Sequence, residues 1–226
     1  MNKRNSQTTK KELKFAILAT DVVLLTMDKK VLKVLLVETA AATPFPKMKT
    51  LPGGLISPNE TAEAAVERHL AHKAGVSGAE LEQLYTFSSV KRDPRGRVVS
   101  VAYLGLRPTI SLGTKERPVY WQDVRHLPRL AYDHNEIVSK GVERLMAKLS
   151  YTTIAKGLLP EQFTLSELQS IYESILHHEF DKRNFRKKVL ALGCLKKLGA
   201  KRRGEAHRPA DLYRFVGGGS QVFEIL

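Results

Sequence analysis

The segment from Leu51 to Val76, LPGGLISPNETAEAAVERHLAHKAGV, constrains the fold of this chain more than any other part. A Pro-Gly-Gly turn leads into a run that predicts a helix from about Pro58 to Ala74, with Gly75 as its C-terminal stop. The residues Ser57-Pro-Asn-Glu60 have the sequence of a capping box with proline at the first helical position. We therefore expect a glycine turn that is followed directly by a well-capped helix.

The glycines of this turn are candidate ligand-binding residues. Glycine turns and helix N-termini bind anions through backbone N–H groups, so Gly53 and Gly54 are placed to meet a phosphate. The alternative is a tight turn that serves only the fold. The basic side chains at positions 68, 69, 72 and 73 also have a structural explanation, because positive groups stabilise the C-terminal end of a helix.

The rest of the first 150 residues alternates between strand and helix patterns. Period-2 or continuous apolar runs predict strands, and a 3.6-residue period predicts helices. The predicted elements are strands at 15–26 and 31–39, a hairpin with strands at 81–90 and 97–106, a strand within 119–128, and a helix from about Asp133 to Leu149. We expect Asp133 to cap that helix, and Tyr103 and Trp121 to lie in the core or an interface.

The sequence after Ser150 predicts a second unit. Residues 151–162 have no clear periodicity and read as a linker, either free or packed on one of its neighbours, and Thr164-Leu-Ser-Glu167 is a capping box at a helix start. The apolar stripe of that helix comprises Leu168, Ile171, Tyr172 and Ile175. A second helix is predicted from Asp181 to Leu192, and two apolar segments around a basic loop follow it. Two helices and a β-hairpin wing are typical of a winged helix-turn-helix, so we divide the chain at 1–150 and 151–226.

The charge distribution indicates a polyanionic partner. The chain has a net charge of +14, and residues 182–214 carry 12 Lys or Arg against two acids. This concentration favours double-stranded DNA as the partner, because Arg and Asn read base edges while Lys mostly binds phosphates. The candidate DNA-binding residues are Lys182, Arg183, Asn184, Arg186 and Lys187 on the second helix and Arg202, Arg203 and Arg208 on the wing. The alternatives are a charged helix face in solvent or an RNA-binding surface, the latter weakened by few nearby aromatics.

Composition excludes several other classes of protein. The single cysteine, Cys194, rules out an internal disulfide framework and lies between leucines, where a small buried residue is expected. Asp21 interrupts the apolar run near the N-terminus, and no stretch reaches the roughly 18 apolar residues that span a membrane. We therefore expect a cytoplasmic protein without membrane association.

The segment 51–76 resembles the Nudix box, G-x5-E-x7-R-E-U-x-E-E-x-G-U, in which U is a bulky aliphatic residue. The chain matches the box at Gly54, Glu60, Arg68, Leu70, Gly75 and Val76. At the three positions where the box requires glutamate it has His69, His72 and Lys73. Mg²⁺ requires oxygen ligands, which lysine and histidine do not supply, and two histidines without a third ligand do not make a zinc site. We therefore expect no catalytic residues, no metal and no cofactor.

The whole pattern resembles the NrtR-type family of Nudix-related transcriptional regulators, from about Phe15 to Phe215. The segments that carry this resemblance are LPGGLI, RDPRGRVVSVAY, LAYDH, FTLSELQSIYE and DKRNFRKKV. It implies an α+β fold, in which an N-terminal Nudix α/β/α sandwich with a mixed sheet precedes a C-terminal winged helix-turn-helix. It also implies a homodimeric repressor that binds palindromic operator DNA. The chain departs from the family at Lys49, where members often have tryptophan.

The resemblance further implies a small-molecule effector, either ADP-ribose or a related nucleotide, or a sugar metabolite. The candidate ligand-binding residues are Gly53, Gly54, Arg68, Arg92, Arg95 and Arg97, of which the last three lie at the tip of the hairpin. Arginines on a Pro-Gly turn are suited to binding a diphosphate, although an ordinary solvated loop is equally consistent with them. The competing function is that of a divergent Nudix hydrolase acting on ADP-ribose or a similar nucleotide diphosphate.

Overall fold

The structure is a computed structural model that describes residues 15–108, 118–202, 209–217 and 222. Its first unit is built on a seven-stranded mixed sheet. The strands are β1 (Ile17–Asp28), β2 (Val31–Glu38), β3 (Lys49–Thr50), β4 (Gly53–Leu55), β5 (Glu80–Phe87), β6 (Val98–Leu106) and β7 (Val119–Asp123). The central strand β1 runs parallel to β6 and antiparallel to β2 and β4.

Two helices cover the two faces of this sheet, α1 (Ala62–Ala74) and α2 (His134–Tyr151). Successive side chains of a strand point to opposite faces. Accordingly, Val22 and Leu24 of β1 pack with Leu70 of α1, whereas Val23 and Leu25 belong to the core that contains α2. The continuous apolar run 22–25 of β1 is thus explained by burial on both sides, and the α/β/α sandwich with a mixed sheet is confirmed.

The second unit begins with a short 3₁₀ helix (Ile154–Leu158) and continues with α3 (Leu165–Leu176) and α4 (Lys182–Ala191). The antiparallel strands β8 (Leu195–Arg202) and β9 (Ala210–Phe215) form the predicted hairpin. The capping box of Thr164 and Glu167 is confirmed. The Asp181 side chain caps α4 by accepting a hydrogen bond from the backbone N–H of Asn184 at 2.8 Å.

One hydrophobic core extends through both units. It contains Leu145 and Leu149 of α2, Leu158 of the 3₁₀ helix, and Leu168 and Ile171 of α3, all of which are buried. The segment 151–162, predicted as a linker, therefore packs into the core in part and does not simply connect two separate bodies. Cys194 is buried, as predicted.

The predicted cap of α1 is wrong, and the predicted cap of α2 is confirmed in its position only. Helix α1 begins at Ala62 with Thr61 as its cap, whose hydroxyl accepts a hydrogen bond from the N–H of Ala64 at 3.2 Å. Residues 57–60 form a turn before it, in which the Glu60 carboxylate accepts hydrogen bonds from the N–H of Ser57 and from Arg68. Asp133 stands at the start of α2 but makes no side-chain cap, since its carboxylate also binds a distant arginine.

Candidate ligand cavity and nucleic-acid interface

A cavity of about 440 Å³ lies where β1, β4, α1, the loop 88–97 and the start of α2 meet. Gly53 and Gly54 form one of its walls. A Cβ atom on Gly53 would lie 2.3 Å from Oδ1 of Asp21, and one on Gly54 would lie 2.7 Å from Cε1 of His69. Both contacts are shorter than atoms tolerate, so these positions require glycine for the close approach of β4 to β1 and α1.

The end of α1 fills the positions that carry glutamates in a complete Nudix box. The Nε2 atom of His69 lies 3.2 Å from the carbonyl oxygen of Leu55, and the Lys73 ammonium donates to the carbonyl oxygen of Gly53. Burial, reinforced by the nearby charge of Lys73, lowers the pKa of His69. His69 is therefore a neutral packing residue at pH 7, which corrects its predicted role as a positive group at the helix end, while His72 is exposed.

Glu60, which matches the box, is held by Arg68. The Nε atom of Arg68 donates to Glu60 Oε2 at 2.9 Å, and a second bond from its Nη2 reaches Oε1. Together with the N–H of Ser57, this contact lowers the pKa of Glu60 to about 2. Arg68 also donates to the carbonyl oxygen of Leu55 at 3.3 Å, which places it at the rim of the cavity.

These residues do not fit the Mg²⁺ ion that the fold family implies. A magnesium site needs several hard oxygen ligands, whereas α1 presents an ammonium group and an imidazole toward the cavity. Glu60 is neutralised by its arginine. Across the described ranges, no three histidine, cysteine or acidic side chains are grouped so that they could hold a metal ion.

A buried ion-pair cluster forms the floor of the cavity. Arg92 donates from Nε to Asp133 Oδ2 and from Nη2 to Asp133 Oδ1, both at 2.8 Å, and its Nη2 lies 3.3 Å from Asp21 Oδ2. The hydroxyl of Ser100 donates to the same Asp21 oxygen at 2.6 Å. The Arg92 side chain is only 4% exposed, so it is not at the tip of a solvated hairpin loop as the sequence suggested.

His134 joins this cluster to the glycine turn. Its Nδ1 atom accepts hydrogen bonds from the N–H of Leu51 at 2.9 Å and from the hydroxyl of Thr50 at 2.8 Å. Its Nε2 atom faces Asp21 Oδ1 at 3.4 Å. Because burial lowers the pKa of His134, the ring is neutral with its proton on Nε2.

The remaining wall carries Arg95 and an aromatic ring. Arg95 binds the buried Asp93 with its Nε at 3.0 Å and its Nη2 at 2.7 Å, and its guanidinium lies 5.8 Å from the ring centre of Tyr132. Tyr132 contacts Phe45 edge to face. Arg97 is directed away from the cavity, because its guanidinium donates to the carbonyl oxygens of residues 88 and 89.

The cavity thus combines cations, hydrogen-bond acceptors and an aromatic ring. Of the six predicted ligand-binding residues, five line it together, Gly53, Gly54, Arg68, Arg92 and Arg95, and Arg97 does not. Sequence reasoning missed Asp21, Tyr132 and His134 as lining residues. The signal for Asp21 was its place as a lone acid in an apolar strand, since a buried charge requires a partner. This composition suits an anionic ligand with a ring that stacks.

Helix α4 presents a second candidate site, a basic exposed face. Phe185 and Val189 anchor the helix in the core, and Phe185 meets Tyr172 of α3 at a ring distance of 5.4 Å. The side chains on the opposite face are exposed, namely Lys182, Arg183, Asn184, Lys187 and Lys188. Arg186 differs from them, because it is half-buried and its Nη2 donates to the hydroxyl of Ser166 at 3.2 Å.

The wing contributes fewer free cations than the sequence suggested. Arg202 donates to the carboxylate of Glu167 and to the carbonyl oxygen of Gln162 at 2.8 Å, which ties β8 to the start of α3. Arg203 and Arg208 lie outside the described residues. Lys196 and Lys201 are exposed on β8. Both belong to the basic stretch 182–214, but neither was predicted as a DNA-binding residue.

No helix within the described ranges is long and apolar enough to span a membrane. A model of the NrtR DNA-binding winged helix domain matches residues 155–215, and a model of the NUDIX domain matches residues 17–140. The ADPR responsive transcriptional repressor NtrR of Acinetobacter baylyi is 30% identical over 226 aligned residues, which cover 93% of this chain and 86% of that protein.

Among the solved structures that are similar to this chain, two that are 35% identical to it carry a bound partner. The first is Shewanella oneidensis NrtR complexed with a 27mer DNA, which has a TM-score of 0.76 over 88% of this chain and 93% of its own. The second is the NUDIX domain of the same protein complexed with ADP ribose, with a TM-score of 0.54 over 62% of this chain and 94% of its own.

Proposed function

Because this chain belongs to the NrtR family of Nudix-related transcriptional regulators, we propose that it is a repressor whose DNA binding responds to an ADP-ribose-like nucleotide. The observation that carries the proposal is the exposed face of α4, where basic side chains and Asn184 stand opposite a buried anchor. A helix exposed in this way is suited to the major groove of double-stranded DNA. The similar structure with a bound 27mer DNA supports the same role.

Within this interface, we assign different tasks to different residues. Arg183 and Asn184 are proposed to read base edges, because both side-chain types form paired hydrogen bonds with bases. Lys182 and Lys187 are proposed to bind phosphates. Arg186 and Arg202 have partners inside the protein, so they position α4 and the wing and are secondary as DNA contacts. Arg203 and Arg208 keep their predicted role in binding the DNA backbone.

The effector is proposed to occupy the 440 Å³ cavity. A diphosphate would lie beside Gly53, Gly54 and Arg68, and a ring would stack near Tyr132, where Arg95 also faces the cavity. The acidic side chains that line it, such as Asp21, offer acceptors for sugar hydroxyl groups. An ADP-ribose-like nucleotide uses all these features, whereas a free sugar has no anionic group for the cationic side chains and no aromatic ring to stack near Tyr132. The similar NUDIX domain with bound ADP ribose supports this choice.

We further propose that the Nudix unit binds this ligand without hydrolysing it. The ammonium of Lys73 and the ring of His69 stand where metal ligands are required, and Mg²⁺ would be repelled from the former. The test is incubation with ADP-ribose and Mg²⁺ and measurement of AMP. We expect no AMP above the level without protein. AMP formation that Glu60→Gln abolishes would instead establish the competing hydrolase function.

The chain is proposed to act as a homodimer on a palindromic operator. In each protomer, residues 1–150 are proposed to form a sensing domain and residues 151–226 a DNA-binding domain. Two copies are needed to present two α4 helices to two half-sites. The central experiment is selection of a duplex from a random library, followed by anisotropy titration with and without ADP-ribose. We expect specific binding that ADP-ribose weakens. Equal affinity for a scrambled duplex would contradict the proposal.

A further inference from the structure

Helix α2 connects the ligand cavity to the winged helix. Its first residue, His134, lines the cavity and accepts hydrogen bonds from Thr50 and Leu51 of the opposite wall. The helix has 18 residues, which corresponds to a length of about 27 Å. Near its other end, Leu145 and Leu149 are buried in the core that contains the 3₁₀ helix and α3.

The middle of α2 is seated tightly on β1. A Cβ atom on Gly141 would lie 2.8 Å from Cγ1 of Val23, so the helix and the strand approach each other more closely than side chains normally permit. Such a close contact holds the middle of α2 against β1. A packed helix transmits a displacement because its interfaces change between discrete arrangements.

The cavity end of α2 is held by a contact that a ligand can compete for. Asp133, directly before the helix, is bound by Arg92 through two hydrogen bonds of 2.8 Å. Arg92 itself lines the cavity, whereas Asp133 does not. Asp21 offers Arg92 a second carboxylate at 3.3 Å, so the guanidinium has another partner when Asp133 is released. An anion that enters the cavity is a third competitor for the same donors.

We propose that Arg92 and Asp133 are positioning residues that couple ligand binding to DNA binding, an inference that rests on the proposed function. The ligand draws Arg92 away from Asp133, the start of α2 moves, and the far end of α2 moves α3 and α4 with it. The coupling is reciprocal. DNA that holds the winged helix in place therefore favours the contact between Arg92 and Asp133 and weakens ligand binding.

The experiment measures two quantities on full-length protein, the Kd for ADP-ribose and the factor by which saturating ADP-ribose raises the Kd for a selected duplex. In Asp133→Asn, Arg92 loses the negative charge and one of the two acceptor oxygens that hold it, so a ligand can draw it away more easily. We expect ADP-ribose to bind at least about threefold more tightly and the coupling factor to fall at least about fivefold, within the usual range of such couplings. Damage to the fold alone would weaken ligand binding, so the tighter binding is the distinguishing result.

Asp123→Asn is the matched control. Asp123 also precedes a short helix, the 3₁₀ helix Val124–His126, and binds Arg125 through two hydrogen bonds, but it lies outside the cavity. We expect wild-type values for both quantities in this variant. Should Asp133→Asn fail to fold, Asp133→Glu retains the charge and displaces it by one methylene, and we expect a coupling factor reduced at least about threefold.

Each outcome has a defined meaning. A wild-type coupling factor in Asp133→Asn, or in Asp133→Glu if only that variant folds, overturns the role of Asp133. Weaker ADP-ribose binding in Asp133→Asn overturns it as well, because the proposal requires the opposite sign. If ADP-ribose leaves the DNA affinity of the wild-type protein unchanged, it is the proposed function itself that fails.

Discussion

Lys187→Ala tests whether the exposed face of α4 binds the DNA backbone. The Lys187 side chain is exposed and makes no hydrogen bond or ion pair with any described residue. Its ammonium is therefore free to neutralise a phosphate, and replacing the side chain by alanine should leave the fold intact. Each neutralised phosphate adds about 0.9 to the slope of log affinity against log salt concentration for duplex DNA.

The change in this slope depends on how many copies of Lys187 contact the DNA. With one in each protomer of a dimer, the variant loses two phosphate contacts and its slope falls by about 1.8. Between 50 and 200 mM salt, the wild-type protein should then lose about 12-fold more affinity than the variant, against about 3.5-fold if a single copy binds. The same measurement thus also reports the number of DNA-bound protomers.

The assay is fluorescence anisotropy with a labelled duplex at a series of salt concentrations. Because phosphate contacts carry no sequence information, Lys187→Ala should weaken binding to the selected duplex and to a scrambled one by the same factor. Lys140→Ala is the control, since Lys140 is exposed on α2 beside Glu143 and far along the chain from α4. A wild-type salt slope in Lys187→Ala would refute the assignment of this face to DNA.

Three further predictions concern stability. Leu145→Ala should lower the free energy of unfolding by about 2–5 kcal/mol, because the side chain is fully buried in the shared core; urea denaturation measures it, and a smaller loss would mean that the core there is loosely packed. Gly54→Ala should lower the free energy of unfolding by about 1–3 kcal/mol, because the added Cβ meets the His69 ring. A second substitution, His69→Ala, should restore part of that free energy. The pKa of Glu60 is lowered from 4.5 to about 2, so its contact with Arg68 stabilises the fold above pH 4.5 and is lost as the pH falls through about 2. The difference in Tm between the wild-type protein and Glu60→Gln should accordingly narrow over that interval, and a constant difference would contradict the assignment.

Most features that depend on neighbouring residues could be predicted from the sequence, and the cap expected at Ser57 is the exception. The capping box of Thr164 and Glu167 joins groups three residues apart, and it has the expected hydrogen bonds. The cap of α4 at Asp181 is equally local. The apolar positions of α3 are buried because their spacing alone decides which face of a helix meets the core.

Features that depend on distant partners could not be predicted. Asp133 is a good cap by its sequence, yet Arg92, 41 residues earlier in the chain, takes both of its oxygens. In the same way, Arg202 looks like a free cation of the wing until Glu167 is found beside it. Which carboxylate an arginine binds is decided by the tertiary fold, so charge patterns overestimate the number of cations available to a ligand.

The residues that line the cavity could likewise be predicted only in part. Two glycines and four arginines were expected to bind a ligand, and both glycines and three of the arginines do line one cavity. Their common environment comes from Asp21 on β1 and His134 on α2, which only the folded sheet brings together. Sequence reasoning supplied the cationic wall of the site but not the buried acid and the neutral imidazole that hold it in shape.

The continuous core also bears on how such a regulator can be recombined. Leu158 and Phe163, which lie between α2 and α3, are both buried in the core that reaches from one helix to the other. A graft that exchanges the DNA-reading part at the predicted boundary after residue 150 would cut through this core and leave an apolar face on each fragment. A workable chimera must therefore take the segment 151–163 together with the helix it packs against. New combinations of sensor and reader are consequently easier to reach by changing surface residues of α4 than by exchanging whole domains.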